Sequence, residues 1–415
     1  MKKLYFVLFV IILIFAIFYT NSQVLVEKEE TTIELLVSGT FNYNSSYNNS
    51  EPALIHINPN NDFSINIIDL KKFNLYYYGL HEVRPIMINN EHKIVLGTYT
   101  LNASFKKPKL IILDKSNGFD NLQMEFEEEI DDERIRAVFV EDIDNDGEKE
   151  IVIGTRPNGI LKYYKFANNQ WTGFQLDFIN ATIHDILVED INSNNRKEII
   201  TTVTPHEKNI TRNLSNKIIS YEFDPYKKVW KKEIIWEYNI IMTNLSLSGK
   251  TEHARYLFAF DVDHDGLKEI VVNARGTGNI ELFRYNGTSY SREIIEDKLN
   301  IHSSAIAVGD IDSDGKDEII ALTEPENTLL MYEHNNGVWE REILVDDLIT
   351  NEYNRIKYLF IINSTDNSYA KILYAAANAD FYYLEHDNNV WNKNYIGTTN
   401  NSSIVMTNIW GIFPA

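Results

Sequence analysis

The sequence predicts an all-β chain, a seven-bladed β-propeller of four-stranded blades, and three observations carry that expectation. One acidic loop recurs four times, at a spacing of roughly 50 residues, which is the period of a repeated unit and not of a whole domain. Each copy is followed by a short β-branched run. The polar turns between alternating segments can also be counted in order along the chain, as a meander of short strands requires.

The loops read DIDNDGEKEIVI from Asp142, DINSNNRKEIIT from Asp190, DVDHDGLKEIVV from Asp261 and DIDSDGKDEIIA from Asp310. Acids at positions 1, 3 and 5, Gly at 6 and Glu at 9 suit calcium, because a hard divalent cation takes six to eight oxygens and Gly lets the backbone turn sharply. An EF-hand is excluded, since it needs its bidentate Glu at position 12 and a helix on each side. Around the Asp142 loop, AVFVED gives a first strand, EIVIGT a second, GILKYYKF a third and WTGFQLDF a fourth. Weaker copies of the first two strands begin at Val83 and Tyr358. Third-and-fourth pairs begin near Leu54, Lys109, Ile160, Lys217, Ile280, Leu329 and Phe381, which sets the expected number of blades at seven.

First strands begin near Val83, Arg136, Ile183, Arg255, Ala305 and Ile356. The missing one is SSIVMTNIWGIF from Ser402, expected to complete an N-terminal blade made of TIELLVSGTFN, ALIHINPN and FSINIIDL. Such closure leaves no exposed sheet edge. Trp171, Trp230, Trp339, Trp391 and Tyr290 open the fourth strands and are expected to pack between blades, the alternative being a sugar-stacking surface.

Residues 1–25 precede the propeller, which is assigned to 31–415. Met1-Lys2-Lys3 and the uncharged apolar run Leu4–Tyr19 predict a signal peptide or an N-terminal transmembrane signal-anchor helix, lysines inside. The expected location is the cell membrane, single-pass with the propeller extracellular, or secretion if the segment is cleaved. N-x-[ST] sequons such as those at Asn44, Asn48 and Asn102 suit an exported glycoprotein. The absence of cysteine excludes a disulfide framework, a thiol nucleophile and Cys-bound metals. A net charge of -21 disfavours nucleic acid as a partner and suits a divalent cation.

DxDxDG-x-x-[DE] on a first-to-second-strand hairpin resembles the FG-GAP and VCBS repeats of integrin α-subunit head domains and of many prokaryotic exported proteins. The loops at Asp142, Asp261 and Asp310 match in full. The loop at Asp190 departs at Asn192, Asn194 and Asn195, and integrin-type Phe-Gly and Gly-Ala-Pro signatures are absent. The resemblance implies Ca²⁺ held by Asp142, Asp144, Asp146 and Glu150 with the carbonyl of Glu148. It implies a second ion on Asp261, Asp263, Asp265 and Glu269, and a third on Asp310, Asp312, Asp314 and Glu318. Asp190, Asn192, Asn194 and Glu198 make a weaker fourth set. Metal in such loops would be structural, offsetting carboxylates that otherwise repel one another.

On the opposite face, one blade has enlarged loops, TPHEKNITRNLSN from Thr204 and MTNLSLSGKTEH from Met242. Eight residues before loop position 1 stand His81, Arg134, His253, His302 and Arg355, with His184 displaced by two. First strands are innermost in a propeller, so these residues would surround the channel mouth. They could receive a carboxylate or a transition metal, or simply cap turns. The expected function is a calcium-binding module that binds or adheres to a protein or glycan outside the cell. The alternative is a carbohydrate-active enzyme, polysaccharide-lyase-like, that uses this ring; no nucleophile motif or separate pair of acids supports it.

Overall fold

The computed structural model describes residues 35–43, 50–58, 63–68, 70–75, 78–100, 106–205, 215–238, 254–263, 265–274, 278–297, 306–323, 328–346, 348, 356–362, 368–376, 380–398 and 404–414. These form an all-β propeller in which consecutive strands pair antiparallel as meanders. β1 (Leu35–Tyr43), β2 (Ser50–Asn58) and β3 (Ser64–Ile68) form one sheet with the last strand of the chain, β28 (Ile404–Pro414), in the order β28-β1-β2-β3. Leu35 lies opposite Pro414 and Tyr43 opposite Ile404, so the C-terminal strand takes the innermost place in the N-terminal sheet.

β4 (Tyr78–Ile88), β5 (Glu91–Thr100), β6 (Lys109–Asp114) and β7 (Gln123–Glu129) are followed by β8 (Arg134–Glu141), β9 (Glu150–Arg156), β10 (Ile160–Ala167) and β11 (Gln170–Phe178). Next come β12 (Thr182–Glu189), β13 (Glu198–Thr204), β14 (Lys217–Asp224) and β15 (Val229–Glu237), then β16 (Ala254–Phe260), β17 (Glu269–Ala274), β18 (Asn279–Tyr285) and β19 (Tyr290–Glu296). The last two meanders are β20 (Ile306–Gly309), β21 (Glu318–Leu322), β22 (Leu329–Asn335) and β23 (Val338–Val345), and β24 (Ile356–Ile362), β25 (Lys371–Ala376), β26 (Asp380–Asp387) and β27 (Val390–Thr398).

The expectation of seven separate blades is corrected by this pairing: the described strands make five four-stranded blades and one eight-stranded sheet. In the eight-stranded sheet, β4–β7 and β8–β11 are continuous because Tyr99, near the end of β5, pairs with Arg134 at the start of β8. Thr100 N–H donates to the Glu133 carbonyl at 3.4 Å, and the Arg134 guanidinium sits 4.5 Å from the Tyr99 ring centre. Counting turns along the sequence cannot register such a sideways link. The expected N-terminal transmembrane helix falls on residues outside those described. Among the described residues no helix is long and apolar enough to cross a membrane, and the helical turns are single 3-10 turns at Lys71–Phe73 and Phe119–Asn121.

The core lies between neighbouring sheets. Ala137, Phe139 and Val152 of one sheet meet Ile183, Ile186, Val188 and Ile199 of the next, each contributing about 1.5–3 kcal/mol for a large side chain fully buried. Second strands such as EIITTVT of β13 are buried from end to end, which explains their β-branched run. Gly97 and Gly154 sit where the next innermost strand presses closest: a Cβ on Gly154 would meet Ile183 at 2.5 Å, and one on Gly97 would meet Ile135 and Val138 at 2.9 Å. The fourth-strand aromatics pack between sheets. Trp230 lies 5.7 Å from the Tyr163 ring of the preceding sheet, the Trp339 indole N–H donates to Glu293 of the preceding sheet at 3.2 Å, and the Trp171 indole N–H donates at 2.9 Å to Glu125 of β7, in the other half of the eight-stranded sheet.

Candidate functional sites at the two ends of the inner strands

Each acidic loop connects an innermost strand to the second strand, and the four loops share one internal scaffold. The position-9 glutamates Glu150, Glu198, Glu269 and Glu318 are buried. One oxygen of each accepts the position-2 N–H, of Ile143, Ile191, Val262 and Ile311, at 2.8–3.0 Å. Position-1 aspartates accept the N–H groups of the turn: Asp142 from Asp146 and Gly147, Asp190 from Asn194 and Asn195, Asp261 from Asp265 and Gly266, Asp310 from Gly315. Position 6 is left-handed throughout; Gly147, Gly266 and Gly315 have φ of 95°, 88° and 89°, and Asn195 takes the same role at 62°.

Carboxylate oxygens of Asp142, Asp144 and Asp146, of Asp261, Asp263 and Asp265, and of Asp310, Asp312 and Glu318 each converge within 4.8 Å. Glu148 and Asp314 sit in the same loops, Glu148 N–H donating to Asp146 and Lys316 N–H to Asp314. Buried oxygens of Asp144, Asp310 and Glu318 have no hydrogen-bond partner, so the donor set fits a hard cation. Burial, with the neighbouring acids behind it, pushes Glu318 up to about 9, and burial pushes Glu150 and Glu269 up to about 7. In the Asp190 loop the amides of Asn192 and Asn194 donate instead to Glu198 and Glu222. Adjacent loops are tied together: Lys197 pairs with Glu141 at 2.7 Å and Lys268 with Glu189 at 2.8 Å, each crossing to the preceding sheet.

At the other end, β4, β8, β12, β16 and β24 each carry a β-bulge one to three residues after the strand's start. The unpaired residue is His81 in β4, Arg136 in β8, His184 in β12, Arg255 in β16 and Lys357 in β24. A bulge re-aims one side chain out of the alternation, and in β4, β8, β12 and β16 that side chain is basic. Arg136 donates from Nη1 to His81 Nε2 at 3.0 Å and from Nε to His184 Nδ1 at 3.3 Å, bridging three neighbouring strands. Because a guanidinium has no acceptor, both imidazoles accept and are neutral on those nitrogens, which places the His81 proton on Nδ1, 3.3 Å from Glu82. Glu82 also pairs with Arg84 at 3.2 Å. Asp185 accepts N–H groups from Ile186 and from Leu257 of β16, both at 2.9 Å.

Burial, reinforced by the Arg136, Arg134, Arg255 and Arg156 charges, holds His81 well below the ordinary imidazole range. Burial pushes Glu82 up to about 8 against the opposing pull of Arg84, and Asp185 up to about 7 against its two backbone N–H donors. Arg255 Nε is buried and has no acceptor among the described residues.

The ring expected from the sequence is therefore corrected in register. His81 and His184 are brought together, whereas Arg134 stacks on Tyr99 at the strand entrance. The ring residues stand six places before loop position 1, at Arg136, His184 and Arg255, and not eight. His253, His302 and Arg355, like most of the enlarged loops after Thr204 and Met242, lie outside the described residues. Sequence reasoning missed Glu82, Arg84, Arg136, Asp185 and Arg255; for Arg136 and Arg255 the available signal was a charged residue at that six-place offset in otherwise apolar strands.

Residues 261–321, from the Asp261 loop through the Asp310 loop into β21, match the model of the FG-GAP-like repeat. The chain is thus a β-propeller that carries an FG-GAP-like repeat, as the loop motif indicates. A search of curated proteins finds no match. Among solved structures it is similar to a putative 6-phosphogluconolactonase from Bacteroides uniformis, at 12% identity and a TM-score of 0.57 over 93% of this chain and 100% of that one. A putative 6-phosphogluconolactonase from Bacteroides fragilis matches at 10% identity and 0.56, over 94% and 99%. The periplasmic gluconolactonase of Pseudomonas aeruginosa matches at 10% and 0.54, over 91% and 100%. At such identities the likeness is one of fold alone.

Proposed function

We propose that the protein binds a small anionic ligand, a sugar acid or similar carboxylate, at the basic inner ring, on a propeller whose opposite loop face is held by divalent cations, calcium foremost. The observation that carries this reading is the run of bulges that turns His81, Arg136, His184 and Arg255 inward. In a chain of net charge -21, the charges of Arg136, Arg134, Arg255 and Arg156 act on His81, and those of Arg84 and Arg136 act on the buried acids Glu82 and Asp185. With both acids pushed toward neutrality, the excess of positive charge calls for an anion, and Arg255 Nε offers a donor still to be satisfied. The orphaned oxygens of Asp310 and Glu318 support calcium, which takes oxygen donors from an all-protein site more readily than magnesium does.

A second reading, hydrolysis of a sugar lactone, is favoured by the gluconolactonase names of the similar propellers and by Glu82, a carboxyl poised near 8 beside a histidine. It is disfavoured by Arg136, which occupies the acceptor nitrogen of His81 and leaves it poorly placed as a base. The test is calorimetric titration with gluconate and galacturonate against glucose and galactose, alongside an assay of gluconolactone hydrolysis. Binding of the acids alone, abolished by Arg255→Gln, supports the first reading. Equal affinity for neutral sugars or no binding of either defeats it, and hydrolysis lost in Glu82→Gln establishes the second.

A further inference from the structure

The acidic loops differ in what the third strand places against them. One step beyond the Tyr164–Ile151 pair, Lys165 faces Glu150; Glu222 faces Glu198; one step beyond Ile270–Phe283, Arg284 faces Glu269; one step beyond Ile319–Tyr332, Glu333 faces Glu318. The same register position therefore holds a cation in two loops and an acid in the other two. In the Asp142 loop the Lys165 ammonium lies 2.7 Å from Asp144, 2.7 Å from Asp146 and 3.2 Å from Glu150. It occupies the middle of the acids that the motif gathers. Arg284 reaches only one loop acid, Asp263, at 3.6 Å.

The Asp310 loop is the opposite case. Its nearest base, Lys316, lies on the rim, 3.0 Å from Asp314 and 3.3 Å from Glu333. One oxygen of Glu318, a residue 0% exposed, and one of Asp310 stay buried without a partner. A buried carboxylate oxygen left unpaired is costly, and either a proton or a cation at the centre answers it.

We propose that the third-strand residue opposite the position-9 glutamate decides which loops take a divalent cation: Lys165 fills the Asp142 loop with its own ammonium, whereas Glu333 makes the Asp310 loop the strongest calcium site. This rests on reading the loops as cation sites. It divides loops that the motif alone ranks alike, since the Asp142 loop is a full match and yet its acids are paired by an ammonium, with one buried Asp144 oxygen left over. The physical ground is exclusion: Lys165 already holds Asp144 and Asp146, two of the three acids that converge within 4.8 Å, and an ammonium and a calcium ion repel each other there.

The test is a reciprocal swap, read as the number of calcium ions bound per chain by calorimetry on metal-stripped protein, with circular dichroism as the check of folding. Lys165→Glu should gain one ion and Glu333→Lys should lose one, with the wild type below four. If Lys165→Glu does not fold, Lys165→Gln, which removes only the charge, should gain the same ion. A wild type that binds calcium while both swaps leave the count unchanged overturns the inference and spares the reading of the loops. Wild type and all variants binding none overturns both.

Discussion

The two ends of the inner strands carry opposite chemistry by different means. At the loop end, acids arrive through a contiguous motif, nine residues long, that closes on itself through Glu150, Glu198, Glu269 and Glu318. At the bulge end, bases arrive one per strand and meet only when β4, β8, β12 and β16 stand side by side. A local motif survives damage elsewhere in the molecule, whereas an assembled ring does not. That difference sets what perturbation should do to each.

The largest effect is expected from removing residues 404–414. β28 supplies the innermost strand beside β1, so its loss exposes an edge and opens the circle on which the ring depends. Calorimetric unfolding should broaden or split, and a truncated chain that melts like the intact one would show the ring to be self-supporting. Next is Arg136→Met, which leaves His81 and His184 without their shared donor inside a buried charged network. Breaking such a network from one side costs roughly 3 kcal/mol, measurable by urea denaturation, whereas Asp265→Ala in an exposed part of a loop should cost well under half of that without added calcium.

Calcium should act on the loop end alone. A site of Kd ~0.1 mM in ~1 mM calcium adds about 1.4 kcal/mol, so thermal melts with chelator and with calcium should separate by a few degrees, and Glu318→Gln should shrink the gap. Equal melts in both conditions would remove calcium from the account.

The bulge end should answer to pH. Glu82 and Asp185 are raised, to about 8 and about 7, so the stability they contribute is full below their unfolded values and is lost as pH climbs through 7 and 8. His81 is lowered, so its contribution is present above its ordinary value and lost as pH falls through the depressed one. As Glu82 and Asp185 ionise among Arg84, Arg134, Arg136, Arg156 and Arg255, affinity for gluconate should weaken by roughly tenfold between pH 6 and 9, a unit shift being about 1.4 kcal/mol. A flat profile, or one unchanged in Glu82→Gln, would remove these acids from ligand binding. The smallest effect belongs to neither end: Trp339→Phe gives up one hydrogen bond to Glu293, worth about 1 kcal/mol in a chemical melt.

The strand meander and the placement of Trp171, Trp230 and Trp339 were legible because alternation and turn residues are near-neighbour properties. The inner ring was not, for a reason visible in β8. The eight-place offset from the loop put Arg134 at the channel mouth, whereas the bulge leaves Arg136 unpaired and re-aims it there, and Arg134 lies on Tyr99.

The four acidic loops belong to the sequence by itself: donors within nine residues are placed by the chain's own covalent reach and one left-handed turn. Which charge faces each loop from the third strand, and how the sheets divide, were decided by tertiary structure. Lys165 and Glu333 enter their loops from a different strand, and Tyr99 and Arg134 join two meanders from strands that are not consecutive. Contacts between distant segments depend on the register at which strands meet, and register is fixed by packing across the whole sheet.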